Sequence, residues 1–132
     1  MNRILSFFLV LFLAIFSSCS NPFTMRDSGR TVEFSLNAQF QVDLTGNPST
    51  GYIWQVSQYD DHVIRQIGEP KFEVKDKKIG SPGVYTFTFE TIAPGQTTLE
   101  LVYTRKFEPG TEAAKTFKLD IISGTMGRIE AD

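Results

Sequence analysis

An all-β fold is predicted by three observations on the amino-acid sequence. Hydrophobic residues recur at every second position in several segments, as expected for strands that bury one face. Clusters of turn-forming Gly, Pro, Asn and Asp residues separate these segments, and no segment shows a convincing helical period. Aromatic residues make up 13% of the chain, enough to fill the core of a small domain. Together these features predict an immunoglobulin-like antiparallel β-sandwich of about seven strands.

The candidate strands are short and follow one another closely. In order they are Thr31–Leu36, Phe40–Leu44, Tyr52–Val56, Val63–Ile67, Pro70–Val74, Val84–Ile92, Thr97–Tyr103 and Lys115–Ile122, of which the fourth and fifth are the weaker candidates. In Val84–Ile92 the aromatic residues Tyr85, Phe87 and Phe89 alternate with polar ones, so the aromatic face is expected to point into the core. Trp54, the only tryptophan, is likewise predicted to be a core residue.

Residues 1–18 have the features of a secretory signal peptide. Arg3 supplies a basic start, Ile4–Phe16 is predominantly apolar, and the small pair Ser17-Ser18 follows. The apolar run is shorter than the roughly 20 residues that a transmembrane helix needs. This segment is therefore predicted to direct export and to be removed.

Cys19, the only cysteine, stands where a bacterial lipoprotein signal carries its lipidated residue. The segment resembles such a signal, which implies a lipid anchor on Cys19 in the cell envelope. By the same resemblance, Ser20 rather than Asp after the cysteine favours the outer membrane. The alternative is an ordinary signal peptide with an incidental cysteine. Residues 19–29 are polar and turn-rich and are expected to form a tether, leaving residues 30–132 as the folded domain.

The composition excludes several kinds of site. One cysteine and one histidine can form neither an internal disulfide nor a Cys/His zinc site. Charge is nearly balanced, with 13 Lys+Arg against 15 Asp+Glu, so no nucleic-acid surface is predicted. A hydrolase would need His62 as its base, but the sequence lacks a Gly-X-Ser-X-Gly motif, and Asp60–His62 is expected to be an exposed turn. Neither enzymatic activity nor a metal or cofactor is therefore predicted.

Three loops between the candidate strands have unusual compositions. The first loop, Gly46–Gly51, is longer than a tight hairpin needs, and its Pro48 and terminal glycines should make it stiff and protruding. The second loop, Gly80–Gly83, ends a long exposed connection. The third loop, Tyr103–Gly110, places an aromatic residue among charged ones, a combination typical of protein recognition. Taken singly, each loop has an ordinary alternative: a generic turn between the sheets for the first, a solvated and mobile loop for the second, and packing of Phe107 onto the edge of the sandwich for the third.

Taken together and in this order, the loops resemble the motifs of the chagasin family, whose members inhibit papain-like cysteine proteases. Asn47-Pro48-Ser49-Thr50-Gly51-Tyr52, followed by Trp54, is similar to the family's Asn-Pro-Thr-Thr-Gly-aromatic motif. Gly80-Ser81-Pro82-Gly83 is similar to its Gly-X-Gly-Gly pattern. Tyr103-Thr104-Arg105-Lys106-Phe107-Glu108 is similar to its Tyr-X-Arg-Pro-Trp motif. The chain departs from the family pattern at Ser49, Pro82, Lys106 and Phe107, and the resemblance covers roughly residues 31–122.

The resemblance implies an immunoglobulin-like, monomeric and reversible inhibitor whose partner is a papain-like cysteine protease. It implies that the first loop covers the catalytic cysteine, the second loop lines the non-primed side of the cleft, and the third loop lies on the primed side. The residues that it assigns to protease contact are Asn47, Pro48, Ser49, Thr50, Gly51, Tyr52, Gly80, Ser81, Pro82, Gly83, Arg105, Lys106 and Phe107. The alternative is a structural or adhesive immunoglobulin-like surface lipoprotein that inhibits no protease.

Overall fold

The computed structural model describes residues 21–74, 76, 78–105 and 112–124, which form two β-sheets and two short 3-10 turns. The strands are β1 (Arg30–Phe34), β2 (Gln39–Gly46), β3 (Tyr52–Gln58), β4 (Ile64–Gln66), β5 (Lys71–Val74), β6 (Gly83–Thr91), β7 (Gly95–Arg105) and β8 (Lys115–Ser123). The turns are Met25–Asp27 and Pro48–Thr50. Each candidate strand of the sequence corresponds to one of these strands, and the predicted all-β fold is confirmed.

The two sheets divide the strands by position rather than by order in the chain. One sheet has the order β1-β8-β7-β3, and the other has the order β2-β6-β4, with β5 also paired to β6. The connection from β2 to β3 therefore crosses from one sheet to the other. The sheets face each other across a single core, as in an immunoglobulin-like sandwich.

One strand pair corrects the expected antiparallel pattern. β1 runs parallel to β8, with Arg30 opposite Leu119 and Phe34 opposite Ser123. Strands joined by a hairpin must be antiparallel, but β1 and β8 are separated by the rest of the domain, so no turn constrains their relative direction. The pairing at this sheet edge is therefore parallel, whereas the other strand pairs of the described residues are antiparallel, as expected.

The core consists of the alternating hydrophobic residues that the sequence placed on the inner faces. Tyr85, Phe87 and Phe89 are buried on β6, as predicted, and Trp54 is 3% exposed on β3. Thr91 is also fully buried, and its hydroxyl donates a hydrogen bond to the carbonyl of Ser35 at 2.8 Å. Alternation thus identified the buried faces correctly.

The segment expected to be a tether contacts the sandwich from Phe23 onwards. The Phe23 N–H donates to the Gln41 carbonyl at 2.9 Å, and the Asp43 N–H donates to the Phe23 carbonyl at 2.8 Å. The Phe23 ring lies 6.0 Å from that of Phe40, edge to face. The described part of the folded domain therefore begins before residue 30, because this aromatic residue covers apolar surface beside β2. Cys19 lies outside the described residues.

The first loop, the second loop and the described start of the third loop lie at one end of the sandwich. Gly46, where β2 ends, is opposite Gly83, where β6 begins. Tyr52, where β3 begins, is opposite Arg105, where β7 ends. In the described part of the chain, no helix has the length and apolar character needed to cross a membrane.

Candidate functional site: the three-loop edge

The first loop folds into a capped 3-10 turn. Pro48 occupies its first position, where a missing N–H costs nothing, and Gly51 follows its last residue with φ 89°. Asn47 caps the turn, because its Oδ1 accepts a hydrogen bond from the Ser49 N–H at 3.1 Å. The conformation of this loop follows from its own sequence.

The hydroxyl groups at the tip of the first loop are bonded within the loop. The Ser49 Oγ lies 2.6 Å from Asn47 Oδ1, and the Thr50 Oγ1 lies 2.7 Å from the Asn47 carbonyl oxygen. Pro48, Ser49 and Thr50 are nevertheless exposed. The tip is therefore a projecting apex with small side chains and a fixed backbone.

The first loop rests on a layer of aromatic rings, which we call the aromatic floor and define as Trp54, Tyr85 and Tyr103. The rings of Trp54 and Tyr103 lie 5.1 Å apart, and the Trp54 Nε1 donates to the Thr45 carbonyl at 3.0 Å. A Cβ at Gly46 would lie only 3.0 Å from the rings of both Tyr85 and Tyr103. Glycine at this position lets the backbone lie directly on the floor. Burial raises the pKa of Tyr85, and the electrostatic effect of Tyr103 adds a smaller increase.

Asn47 also joins the first loop to its surroundings. Its backbone N–H donates to the Tyr103 hydroxyl at 2.9 Å. Its side-chain Nδ2 donates to the Gly80 carbonyl, in the second loop, at 2.7 Å. Tyr103 thus holds the first loop through its hydroxyl, a contact that its place at the start of the third motif did not predict.

The last residue of the second loop is buried, whereas Pro82 and the residue preceding the loop are exposed. Gly83 is buried, and a Cβ there would lie 2.5 Å from the Glu73 carbonyl oxygen, so β5 passes too close for any other residue. Pro82 is exposed, and Gly80 has φ 82°. Ile79, just before the loop, is 104% exposed relative to the free residue. Ile79 was not among the predicted contact residues; an isolated aliphatic residue between Lys78 and Gly80 is the signal in the sequence that indicates it.

The third loop is described only at its start. The Arg105 guanidinium lies over the Tyr52 ring, 5.1 Å from its centroid, in a cation–π arrangement. The Tyr52 ring in turn lies 5.4 Å from that of Tyr103. Lys106 and Phe107 lie outside the described residues. Of the predicted contact residues, the structure therefore brings Asn47–Tyr52, Gly80–Gly83 and Arg105 to one end of the sandwich. We call this set of residues the three-loop edge.

Asp60, Asp61 and His62 form an exposed turn between β3 and β4, at the opposite end of the sandwich. The side-chain atoms with which these residues could ligate a metal ion lie within 4.8 Å of one another. The Asp60 carboxylate accepts a hydrogen bond from the His62 N–H, which lowers the pKa of Asp60. The exposure predicted for this turn is confirmed, and its chemistry is spatially separate from the three loops.

Comparison with known proteins gives a consistent result. The family described as chagasin family peptidase inhibitor I42 matches residues 33–121. Amoebiasin-2 of Entamoeba histolytica is 26% identical over 100 residues, which cover 75% of this chain and 81% of that protein.

Solved structures share the fold. The cysteine protease inhibitor EhICP2 from Entamoeba histolytica has a TM-score of 0.70 at 23% identity, over 78% of this chain and 94% of that one. PbICP-C, solved in complex with falcipain-2, has a TM-score of 0.53 at 19% identity, over 79% of this chain and 90% of that one. Because the family match extends from β1 into β8 and includes all three loops, the chain belongs to the chagasin family of peptidase inhibitors.

Proposed function

We propose that this protein is a reversible inhibitor of papain-like cysteine proteases and that the three-loop edge enters the active-site cleft of its target. The observation that carries the proposal is the first loop, whose exposed apex is held by hydrogen bonds to Asn47 and whose first residue, Gly46, lies on the aromatic floor. Membership of the peptidase inhibitor family supports it. Two proteins of similar structure support the same class of target: EhICP2 is named a cysteine protease inhibitor, and PbICP-C was solved in complex with falcipain-2.

The geometry of the apex explains why a protease would not cleave it. The carbonyl oxygen of Asn47 accepts the Thr50 N–H at 3.1 Å, and that of Pro48 accepts the Gly51 N–H at 3.0 Å. These carbonyls are directed into the turn, so they are not available to an oxyanion hole that must polarise a scissile carbonyl. The two peptide bonds that flank Pro48 are therefore not presented to the enzyme for attack.

The same rigidity favours binding. A loop that is already ordered loses little conformational entropy when it enters a cleft. Its bonds to Tyr103 and Gly80 keep it in a fixed position relative to the strand end at Arg105. Inhibition of this kind requires shape and order rather than a reactive group.

The test is a titration of papain with the chain from residue 19 carrying Cys19→Ser, which retains every described residue. We expect reversible inhibition that Thr50→Trp weakens by about 100-fold or more, because a bulky apex cannot enter a narrow cleft. The matched control is Thr31→Trp, at an exposed position on β1. Absence of papain-family inhibition at micromolar protein would contradict the proposal and favour the structural or adhesive alternative.

We further propose that the protein is exported and attached to the bacterial cell envelope, in the outer membrane, by a lipid on Cys19. The apolar segment Ile4–Phe16 and the position of the only cysteine support this. Phe23 is four positions after Cys19, so a fully extended chain between them spans about 14 Å at most. Phe23 forms a parallel bridge with Val42 of β2, so the chain at Phe23 has the same direction as β2, which leads to the first loop. An anchor at Cys19 would therefore hold the far end near the membrane and direct the loops away from it.

The anchoring proposal is tested by mass spectrometry of the N-terminal peptide from the membrane fraction. We expect a diacylglyceryl, N-acylated Cys19 in the wild type and release of unlipidated protein in Cys19→Ala. A mature N-terminus that leaves Cys19 unmodified would favour an ordinary signal peptide instead.

A further inference from the structure

Asn47 bonds the first loop both to the second loop and to Tyr103 on β7. It lies 33 residues from Gly80 and 56 residues from Tyr103 in the sequence, and it is hydrogen-bonded to both. Its carbonyl and its Oδ1 accept hydrogen bonds within the first loop. Its backbone and side-chain polar groups are thus all engaged.

The planar amide of Asn47 has only one orientation that satisfies these contacts. Its Oδ1 faces the Ser49 N–H at 3.1 Å, and its Nδ2 faces the Gly80 carbonyl at 2.7 Å. Rotating the amide by half a turn would place an acceptor against the Gly80 carbonyl and a donor against the Ser49 N–H. The cap of the first loop and the bond to the second loop are therefore set by the same side chain.

A weak hydrogen bond within its own turn helps to hold the second loop. The Ser81 N–H donates to the Lys78 carbonyl at 3.2 Å, a long bond in an exposed turn. Ile79 is fully exposed, and it directly precedes the residue whose carbonyl Asn47 holds. An exposed aliphatic side chain beside a proposed binding apex contributes to affinity only if its backbone is held in place.

We propose that Asn47 is a positioning residue that makes the first and second loops one binding unit, so that Ile79 adds to protease binding only while the Asn47–Gly80 bond is intact. This inference rests on the proposed inhibitory function and extends it to a partner with an apolar surface beside its nucleophile. Asn47 acts here through its bond to the second loop, in addition to any contact that it makes with the enzyme itself.

The test is a double-mutant cycle of inhibition constants against papain with wild type, Asn47→Asp, Ile79→Ala and the double variant. Aspartate keeps an acceptor for the Ser49 N–H but cannot donate to the Gly80 carbonyl. We expect Ile79→Ala to weaken inhibition about tenfold in the wild type and less than about twofold in Asn47→Asp. Equal fold-changes in the two backgrounds, or no effect of Ile79→Ala in either, would overturn the proposal.

Two measurements separate positioning from loss of structure. Asn37→Asp makes the same change of charge at the other end of the sandwich, at a residue with φ 61°, and should leave inhibition unchanged. In Asn47→Asp, NMR relaxation should show greater mobility of the Ile79 methyl groups, while exchange of the Ser49 amide stays slow. If wild type does not inhibit papain, the proposed function fails, and the NMR experiment still decides the coupling: unchanged Ile79 mobility overturns it.

Discussion

The first and second loops share one end of the sandwich but are held in different ways. The first loop is fixed by its own sequence and by the aromatic floor beneath it. The second loop is anchored by Gly83 against β5 and by a bond from Asn47, and it leaves Ile79 in solvent. The first loop is therefore suited to present backbone in a constant shape, and the second lies beside the exposed side chain of Ile79.

The largest expected effect concerns the aromatic floor beneath the first loop. Trp54→Ala should lower the free energy of unfolding by about 3–5 kcal/mol, because it leaves a cavity in the core beneath the loop. The measurement is denaturation followed by circular dichroism, since the substitution removes the only tryptophan. Trp54→Phe, which retains an aromatic ring but loses the bond to Thr45, should cost less. A loss below about 1 kcal/mol for Trp54→Ala would contradict the role of the floor.

A matched pair of glycine substitutions compares the two loops directly. Gly51 and Gly80 have φ values of 89° and 82°, and no heavy atom lies within 4 Å of an added Cβ at either position. Alanine at each should therefore cost a similar 1–2 kcal/mol or so of backbone strain. We expect Gly51→Ala to weaken papain inhibition clearly more than Gly80→Ala, as measured by inhibition constants together with unfolding free energies. A larger loss of inhibition for Gly80→Ala would reverse the assigned roles of the two loops.

Removing one hydroxyl from the floor should affect the first loop more than the fold. Tyr103→Phe keeps the ring but leaves the Asn47 N–H without its acceptor, at a cost of about 1 kcal/mol. Hydrogen exchange at the Asn47 amide should accelerate, and papain inhibition should weaken several-fold. Tyr85→Phe, at the other floor tyrosine, is the control and should leave the Asn47 amide protected. An unchanged exchange rate in Tyr103→Phe would mean that the turn orders the loop without help from β7.

The smallest effect is expected at the N-terminal segment, which gives a baseline for a surface contact outside both loops. Hydrogen bonds to Asp27 from the Thr24 N–H at 2.9 Å and from Arg30 at 2.7 Å lower the pKa of Asp27 below its ordinary 3.8. Because the pKa is lower in the folded state, the contribution to stability is complete above the unfolded pKa and is lost as the pH falls through the folded value.

Asp27→Asn should therefore reduce stability at pH 7 by less than about 1 kcal/mol and reduce it less at pH 3. Denaturant unfolding at the two pH values measures this, with Glu69→Gln, at an exposed position, as the control. An equal effect of Asp27→Asn at both pH values would show that the charge of Asp27 does not stabilise the segment.

The outcome of sequence prediction differed between elements for physical reasons. Alternation located β6 and β7 because it directly reflects which face is buried. The parallel pairing of β1 with β8 was not predictable from alternation, which is the same for either strand direction. Phe23 falls within the segment predicted to be a tether, because a single aromatic residue in a polar segment has no periodicity. Its place beside β2 depends on apolar surface that exists only once the sheets have assembled.

By itself, the sequence determined the strands, the core faces and the shape of the first loop, because each depends on neighbouring residues: alternation within a strand, or an Asn-Pro start and a glycine end around one turn. Only the tertiary structure decided which distant groups meet. Asn47 bonds to Gly80 and Tyr103 because β2 ends beside β6 in one sheet and its loop crosses to β3, the partner of β7, in the other. Hydrogen bonds of this kind require donor and acceptor within about 3 Å, a condition that strand packing satisfies and local sequence does not encode.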